Sequence, residues 1–282
     1  MGGGGAEDPD HDVELLWREE EQEPRTGLST GRIVRAAIDL ADEEGLDGLS
    51  MRKIADRLGF TTMSLYRHVP GRDQLVALML DAAQGQAPPP RAARGDWRAR
   101  LEACARRAWD LRRRHPWVAE VRGSRHLPGP NGVAAYEDML SAVADTGLPA
   151  AQMIAAVNLV ARFVHAEAQT LVETARQERR SGVSERDWWG ARDELYQRLD
   201  RYPTLTALWE AGGYDAPEDS FEFGLARVLD GIDMLIAHQR DETRDETCPM
   251  CGKSVEQPPS GRPRVYCSRA CQQRAYRRRQ DG

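Results

Sequence analysis

The sequence of 282 residues lacks any long apolar run, so it offers no candidate for a membrane-spanning helix. No stretch approaches the roughly 18 consecutive apolar residues that such a helix needs. The first residues, MGGGGAEDPDHD, are acidic and contain no apolar segment of the kind that secretory signals carry. We therefore expect a cytoplasmic protein that does not associate with a membrane.

The motifs that assemble catalytic sites are also missing. The sequence contains no nucleophile elbow, no glycine-rich phosphate loop and no HExxH pair. Its Ser, His and Asp residues form no recognisable catalytic arrangement. These absences argue against an enzyme.

Cysteine is nearly absent from the first 247 residues, where Cys104 stands alone in a helical pattern and is most simply a small core residue. Four cysteines follow near the end, separated by two, fifteen and three residues: Cys248, Cys251, Cys267 and Cys271. In a reducing cytoplasm such a cluster favours a metal over disulfides. Two pairs of thiolates are what tetrahedral zinc requires, so we predict a structural zinc ion as cofactor.

The segment that carries these cysteines, residues 247–282, is too short to bury a core that would fold by itself. Metal binding would supply the missing stability. The alternative is a disordered tail with free cysteines. The segment also resembles, more loosely, small zinc-binding C-terminal extensions of actinobacterial proteins.

The net charge of −6 argues at first against a nucleic-acid partner, but the charges are unevenly distributed. Residues 1–28 hold nine acids and two bases, whereas residues 248–282 hold eight bases and two acids. A global charge says little when charges separate in this way. We expect the acidic head, residues 1–28, to be disordered. The basic tail either contacts DNA phosphates, pairs with the acidic head or is simply solvated.

Apolar residues recur at helical spacing, and no alternating strand pattern precedes residue 247, so we predict an all-α fold. The proline-rich stretch GQAPPPRAARGD (85–96) predicts a boundary between two helical domains. In the second domain we expect helices near 97–114, 132–146, 149–179, 185–200 and 218–240. The predicted domains are the head at 1–28, a DNA-binding domain at 29–84, a helical domain at 97–245 and the tail at 247–282.

The first domain shows the pattern of a helix-turn-helix. Ser29 or Thr30 can cap a first helix, Ser50 can cap a second, and Gly59 fits the left-handed residue that closes the second. A short third helix, carrying MSLYRH, presents hydroxyl, arginine and histidine side chains while Leu65 points back to the core. Such a helix suits the major groove of DNA, which admits one helix and offers base edges to polar side chains.

Residues 29–82, above all the run GLDGLSMRKIADRLGFTTMSLYRHVPGRDQL, resemble the DNA-binding domain of the TetR family of bacterial repressors. The upstream ELLW (14–17) and the long helical remainder resemble the branch that includes the tetracycline repressor. The resemblance implies that Arg52 reaches a base from the second helix and that Tyr66 and Arg72 contact phosphates. It places five further side chains against bases: Thr62, Met63, Ser64, Arg67 and His68.

One position departs from that branch, because Arg67 stands where the tetracycline repressor has an aromatic residue. Arginine most often reads guanine, so the operator of that repressor cannot be carried over.

The same resemblance implies a homodimer that binds palindromic double-stranded operator DNA and leaves it when a small-molecule effector binds the helical domain. Residues 149–179 and 218–240 would form the dimer interface.

The effector and its contacts stay unknown: His165 is more simply a core residue, and Asn158 and Arg162 suit a pocket or a solvated face equally. Trp188, Trp189 and Trp209 are expected to pack. The alternative function is a zinc- or redox-responsive regulator in which the C-terminal cysteines are the sensor.

Overall fold

Helices dominate the structure, which is a computed structural model that describes residues 9–18, 27–86, 96–121, 127–215, 218–255 and 264–280. Within those ranges the one extended pairing is an antiparallel bridge between Thr247 and Ser254. The predicted all-α fold is therefore confirmed. No helix among the described residues is long and apolar enough to cross a membrane.

The N-terminal part begins its helices where the sequence provides caps. The side chain of Ser29 accepts from the backbone N–H of Arg32, and Ser50 accepts from that of Lys53. Gly59 closes the second of these helices in the left-handed conformation, at φ 74° and ψ 30°. The helices are α1 (Pro9–Leu16), α2 (Thr30–Glu44), α3 (Met51–Leu58), α4 (Thr62–Tyr66) and α5 (Arg72–Gln86).

The helical domain contains the predicted helices in the predicted order, with shifted bounds and with two short helices, Trp117–Glu120 and Pro203–Glu210, that were not predicted. The segment predicted as one helix at 185–200 is broken into two short helices and a 3-10 turn, and the last long helix runs further than residue 240. The helices are α6 (Trp97–Arg114), α7 (Trp117–Glu120), α8 (Pro130–Val143), α9 (Ala150–Ser181), α10 (Glu185–Gly190), α11 (Asp193–Gln197), α12 (Pro203–Glu210), α13 (Ser220–Glu246) and, in the tail, α14 (Arg269–Gln280).

The prediction of a disordered head is wrong for part of residues 1–28. Helix α1 packs on α5 and buries the side chains of Leu15 and Leu16. The amide of Gln74 donates to the carboxylate of Asp12 at 3.2 Å, and the indole N–H of Trp17 donates to the backbone of Pro128. The prediction rests on the acidic charge of the head and does not allow for the apolar surface that the two adjacent leucines of ELLW bury.

Two large hydrophobic cores support the DNA-binding domain and the helical domain. The first joins α2, α3, α4 and α5 and also takes in Leu111, Trp117 and Val118. The second lies between α6, α8, α9 and α13. Because α6 contributes Leu101 to the second core and Leu111 to the first, this one helix runs from the helical domain into the base of the DNA-binding domain.

Two carboxylates of the DNA-binding domain, Asp42 and Asp81, accept hydrogen bonds from the helical domain and so join the two parts. Asp42 of α2 lies 2.9 Å from Nδ1 of the buried His115 and accepts from the indole N–H of the buried Trp117 at 2.9 Å. Asp81 of α5, itself buried, accepts from the side chain of Asn131 and from the backbone N–H of Gly132, both at 2.9 Å, and so caps α8.

Glycine is needed beside that second carboxylate. A Cβ atom at Gly129 would overlap Cγ of Asp81, closer than side-chain atoms approach one another. A bare backbone at this position lets the carboxylate reach the first turn of α8.

Replacement of Asp81 by Ala should lower the free energy of unfolding by about 1–3 kcal/mol, because two donors at the start of α8 lose their acceptor. Chemical denaturation followed by circular dichroism measures the change. Asp145→Ala, at an exposed position after the other end of α8, is the matched control and should change stability little. Equal effects of the two substitutions would show that Asp81 does not cap α8.

Candidate nucleic-acid interface

The turn between α3 and α4 is fixed by backbone hydrogen bonds. The N–H of Gly59 donates to α3, and the N–H of Phe60 donates to the carbonyl of Ala55 at 3.0 Å. Thr61 then caps α4, with its hydroxyl accepting from the backbone N–H of Ser64. The geometry is that of a helix-turn-helix, as the sequence predicts.

Helix α4 is anchored from one side. The side chain of Leu65 is fully buried, and Val69 just after the helix is fully buried as well. On the other side the exposed fraction is 71% for Met63 and 46% for Tyr66, and Arg67 is exposed too. Thr62, Ser64 and His68 are partly exposed. The polar and exposed side of α4 is thus free of packing against the described part of the chain at Met63 and Arg67.

Two further predicted contacts lie beside α4. The guanidinium of Arg72 donates to the carbonyl of Leu46 at 2.8 Å, which holds it near the start of α3. Arg52 is almost fully exposed and is 4.0 Å from the carboxylate of Asp56. A shallow depression brings together Arg52, Thr62, Tyr66 and Arg72 with Ser50 at its edge.

Three acidic side chains of α2 are bonded to other residues of the protein. Glu43 receives two hydrogen bonds from the guanidinium of Arg57, at 2.6 and 2.8 Å, and this bonding lowers the pKa of Glu43. Glu44 pairs with Lys53, and Asp42 binds His115 and Trp117. The pairs of Glu43 and Glu44 hold α3 on α2, and α4 itself, TMSLY, contains no acidic residue.

A cavity of about 200 Å³ lies in the helical domain between α6, α8 and α9. Its walls are mainly apolar, and three charged residues line it: Arg107, Arg112 and Asp138. Arg107 donates to Asp138 at 3.1 Å and to the backbone of Gln84, at the end of α5, at 3.2 Å. The thiol of Cys104 also lines the cavity, and burial raises its pKa to about 11, so it is neutral at ordinary pH.

The residues that the sequence suggested for a pocket lie elsewhere. Arg162 donates to the backbone of Asn158, and neither residue lines the cavity. His165 is partly buried outside the lining, and its pKa is lowered by burial and by the charge of Arg112. Sequence reasoning missed Arg112, because the run RRRH (112–115) is typical of a solvated helix end.

The tail brings its four cysteines together. Their sulfur atoms all lie within 4.8 Å of one another, and none of the four forms a disulfide. Gly252, at φ 68°, permits the tight turn after Cys251, and Cys271 sits in the first turn of α14. Burial acts against ionisation of Cys248, but backbone N–H groups of Cys267 and Met250 lower its pKa to about 6. The cluster has the composition and size of a metal site.

Comparison with known proteins identifies the chain over most of its length. A family described as bacterial regulatory proteins, tetR family, matches residues 33–79, and one described as tetracyclin repressor-like, C-terminal domain, matches residues 89–236. The chain belongs to the TetR family. Members of this family are transcriptional regulators that bind operator DNA as dimers and respond to small molecules, and they are not enzymes.

Named relatives support the assignment. The HTH-type transcriptional repressor DrrR1 of Streptomyces coeruleorubidus is 38% identical, over 85% of this chain and 91% of its own length. The tetracycline repressor protein class A from transposon 1721, from Escherichia coli, is 29% identical over 73% of this chain and 91% of its own length.

A solved structure, apo ActR from Streptomyces coelicolor, is 27% identical over 78% of this chain and 100% of its own, with a TM-score of 0.62. The same protein has been crystallised with actinorhodin, at 27% identity, a TM-score of 0.59, and coverage of 73% of this chain and 95% of that one.

The two long helices of the TetR fold expose apolar side chains. Helices α9 and α13 pack on each other. Their exposed apolar residues, with exposed fractions from 46% to 74%, are Ile154, Leu159, Leu171, Phe223 and Met234. The predicted interface segments, 149–179 and 218–240, fall on these two helices, and their role in a dimer stays a prediction.

The three tryptophans that the sequence analysis expects to pack do so only in part. Trp188 and Trp189 form an edge-to-face pair, and Trp209 contacts the rings of both Tyr196 and Tyr214. All three nevertheless remain 44–51% exposed, because the short helices α10 to α12 pack on one another's aromatic rings and bury little surface.

Replacement of Leu65 by Ala should cost about 2–5 kcal/mol of stability, because it opens a cavity beneath α4. Met63→Ala, two residues away on the exposed side, should leave the free energy of unfolding nearly unchanged. Denaturant unfolding of the two variants measures the contrast. Equal losses would show that α4 is not oriented as described.

Proposed function

We propose that the protein is a homodimeric repressor that binds a palindromic operator through α4 and leaves it when an effector occupies the cavity between α6, α8 and α9. The observation that carries the proposal is the short helix α4, anchored by Leu65 and presenting Met63 and Arg67 outward. A dimer would place two such helices about 34–36 Å apart, one turn of DNA.

The proposed contacts divide into two kinds. Tyr66 and Arg72 contact phosphates, which set the register of the protein without reading sequence. The hydrogen bond from Arg72 to Leu46 supports this role, since it directs a cation to the edge of the recognition surface. The residues proposed to face bases are Arg52, Thr62, Met63, Ser64, Arg67 and His68.

The proposed dimer forms through the apolar faces of α9 and α13. Exposed side chains such as Leu159 on α9 and Met234 on α13 would be covered by the same helices of a second copy. A four-helix contact of this kind is isologous, so it generates the two-fold symmetry that a palindrome requires.

Effector release follows from the connections between the cores. Helix α6 lines the cavity and is followed directly by His115, which is bonded to Asp42 of α2. Helix α8 lines it from the other side, and its first turn is bonded to Asp81 of α5. A ligand that shifts α6 or α8 therefore moves the DNA-binding helices and changes the spacing of the two α4 helices.

Footprinting on the DNA upstream of the protein's own gene tests the proposal, with a protected palindrome as the expected result. Arg67→Ala should lose about 1–3 kcal/mol of discrimination at one base pair in each half-site. Arg72→Gln should weaken binding to all sequences and reduce the salt dependence. Arg186→Gln, at an exposed position on α10, is the charge-matched control.

Two outcomes would contradict the contacts. If Arg67→Ala binds every operator variant with wild-type ratios, then Arg67 does not read a base. If Arg72→Gln and Arg186→Gln have the same salt slope as the wild type, then Arg72 does not contact phosphate.

For the tail, we propose a structural zinc ion held by Cys248, Cys251, Cys267 and Cys271. The sulfur of Cys267 lies 3.4 Å from that of Cys251 and 3.7 Å from that of Cys271, and tetrahedral zinc with bonds of about 2.3 Å separates its sulfurs by about 3.8 Å. The hydrogen bond with Cys251 and burial raise the pKa of Cys267 to about 12, and a bound cation would favour the thiolate that the site needs. Four protein ligands leave no open position, which favours a structural site over a catalytic one.

The tail also presents a basic helix. Arg274, Arg277 and Arg278 of α14 are exposed, and Tyr276 beside them is 61% exposed. We propose that this helix adds phosphate contacts next to the operator, with the zinc site fixing its start.

Removal of zinc separates the alternatives for the tail. Mass spectrometry of the native wild-type protein should show one zinc per chain, and Cys251→Ser should lose the metal. Operator protection that survives chelation would support a structural site. Protection that disappears on chelation or oxidation, and returns with zinc or a reductant, would favour the sensor function.

A triple change of Arg274, Arg277 and Arg278 to Gln tests the DNA contact separately. It should reduce the slope of log affinity against log salt by about 0.9 for each phosphate that these arginines neutralise. A slope that stays unchanged, in this variant and after removal of residues 247–282, would rule out a role of the tail on DNA.

A further inference from the structure

Two arginines line the cavity between α6, α8 and α9, and they differ in their pairing. Arg107 is bonded to the carboxylate of Asp138 at 3.1 Å. Arg112, one turn and a half further along α6, has no carboxylate within 4 Å among the residues that the structure describes. The cavity therefore carries one positive charge that the described part of the chain does not neutralise.

The guanidinium of Arg112 is also short of hydrogen bonds. One terminal nitrogen donates to the carbonyl of Ala108 in its own helix at 2.9 Å. Its Nε is shielded from solvent and finds no acceptor in the described part of the chain. Burial lowers the pKa of Arg112, which reflects the same loss of solvation. A buried donor without an acceptor is costly, and a buried charge without a partner is more so.

The ionisable groups around Arg112 do not supply a negative charge. The pKa of His165 is lowered by burial and then by Arg112 itself, which keeps this imidazole neutral. The Cys104 thiol, with its pKa raised to about 11, is neutral as well. Asp138 is already engaged by Arg107.

The rest of the lining is apolar or only weakly polar. It includes Ala105, Leu111, Met139, Ala161 and Val164, with the ring of Tyr136 at the side of α8. An inorganic anion would meet Arg112 but leave these walls without a contact. A neutral apolar molecule would fill the walls but leave the guanidinium unpaired.

We infer that the effector is an organic anion, with a carboxylate or similar acidic group that pairs with Arg112 and an apolar body that fills the space toward Met139. The inference deepens the proposed function, on which it rests, since it gives the chemical class of the molecule that would release the operator. Arginine suits this role because its planar fork binds a carboxylate through two parallel hydrogen bonds.

The small volume of the cavity means that binding of an effector would move the helices around it. About 200 Å³ is below the roughly 300–1,000 Å³ of typical ligand sites, so an effector of ordinary size must widen it. Widening separates α6 from α8, the two helices that are tied to Asp42 and Asp81 of the DNA-binding domain. An acid that pairs with Arg112 thus acts on the helix that reaches α2.

A matched pair of probes tests the charge. We would measure binding of 2-naphthoate and of its neutral amide, 2-naphthamide, to the full-length protein by isothermal titration calorimetry. The wild type should bind the acid at least about tenfold more tightly, the effect of a charged hydrogen-bonded pair. Arg112→Met should abolish this preference, Arg112→Lys should keep part of it, and Arg113→Met, at the exposed neighbouring position, should keep all of it.

Thermal unfolding shows whether the Arg112→Met variant loses the acid because its site is changed or because it is misfolded. Because the guanidinium of Arg112 is a shielded charge without a counter-ion, Arg112→Met should melt at the same temperature as the wild type or above it. A clear drop in melting temperature would instead make Arg112 a structural residue and overturn the inference. Inorganic phosphate is the second control: stabilisation by phosphate equal to that by naphthoate would contradict the apolar part of the site.

The remaining outcomes separate the inference from the proposed function. Equal affinity for the two probes, or no measurable binding of 2-naphthoate, would overturn the inference even if the protein protects a palindrome. A protein that prefers the acid through Arg112 but binds no operator would retain the site while the repressor proposal fails.

Discussion

The carboxylates of Asp42 and Asp81 hold the DNA-binding domain and the helical domain in one fixed arrangement. Each lies on a helix of the DNA-binding domain and accepts hydrogen bonds from the helical domain. Asp81 is buried, and Asp42 binds the buried side chains of His115 and Trp117. Polar groups in such places are costly unless they are paired, so each carboxylate fixes the relative position of two helices. Through them, the cavity lined by α6 and α8 and the recognition helix α4 belong to one mechanical unit.

The same principle explains how an acidic protein can present a DNA-binding surface. Most of the acids of α2 are engaged by partners inside the protein: Glu43 by Arg57, Glu44 by Lys53, and Asp42 by His115 and Trp117. What remains exposed on and just after α4 is Met63, Tyr66 and Arg67. Binding depends on this local distribution, since phosphates respond to charges within about 10 Å at ordinary salt.

The tail differs from the two helical domains in how little apolar surface it buries. Its small core contains Cys248, Val255 and Cys271, which is little apolar surface for a segment of this length. The matched families end at residue 236, before the first of these cysteines. The cysteine cluster is thus an addition to the TetR fold, and we expect its stability to rest on ligand chemistry where that of the helical domains rests on packing.

The helical fold, the helix-turn-helix and the family could all be predicted from the sequence, because they depend on local signals. The cap at Ser50 and the left-handed Gly59 are each readable within a few residues. Only the tertiary structure shows that Arg112 lines a cavity with its Nε unpaired. It also shows that Asp81 caps α8 and that burial of Leu15 and Leu16 orders part of the acidic head. These features depend on residues that are distant in sequence, and a charge in a helix looks the same in sequence whether it faces water or a cavity.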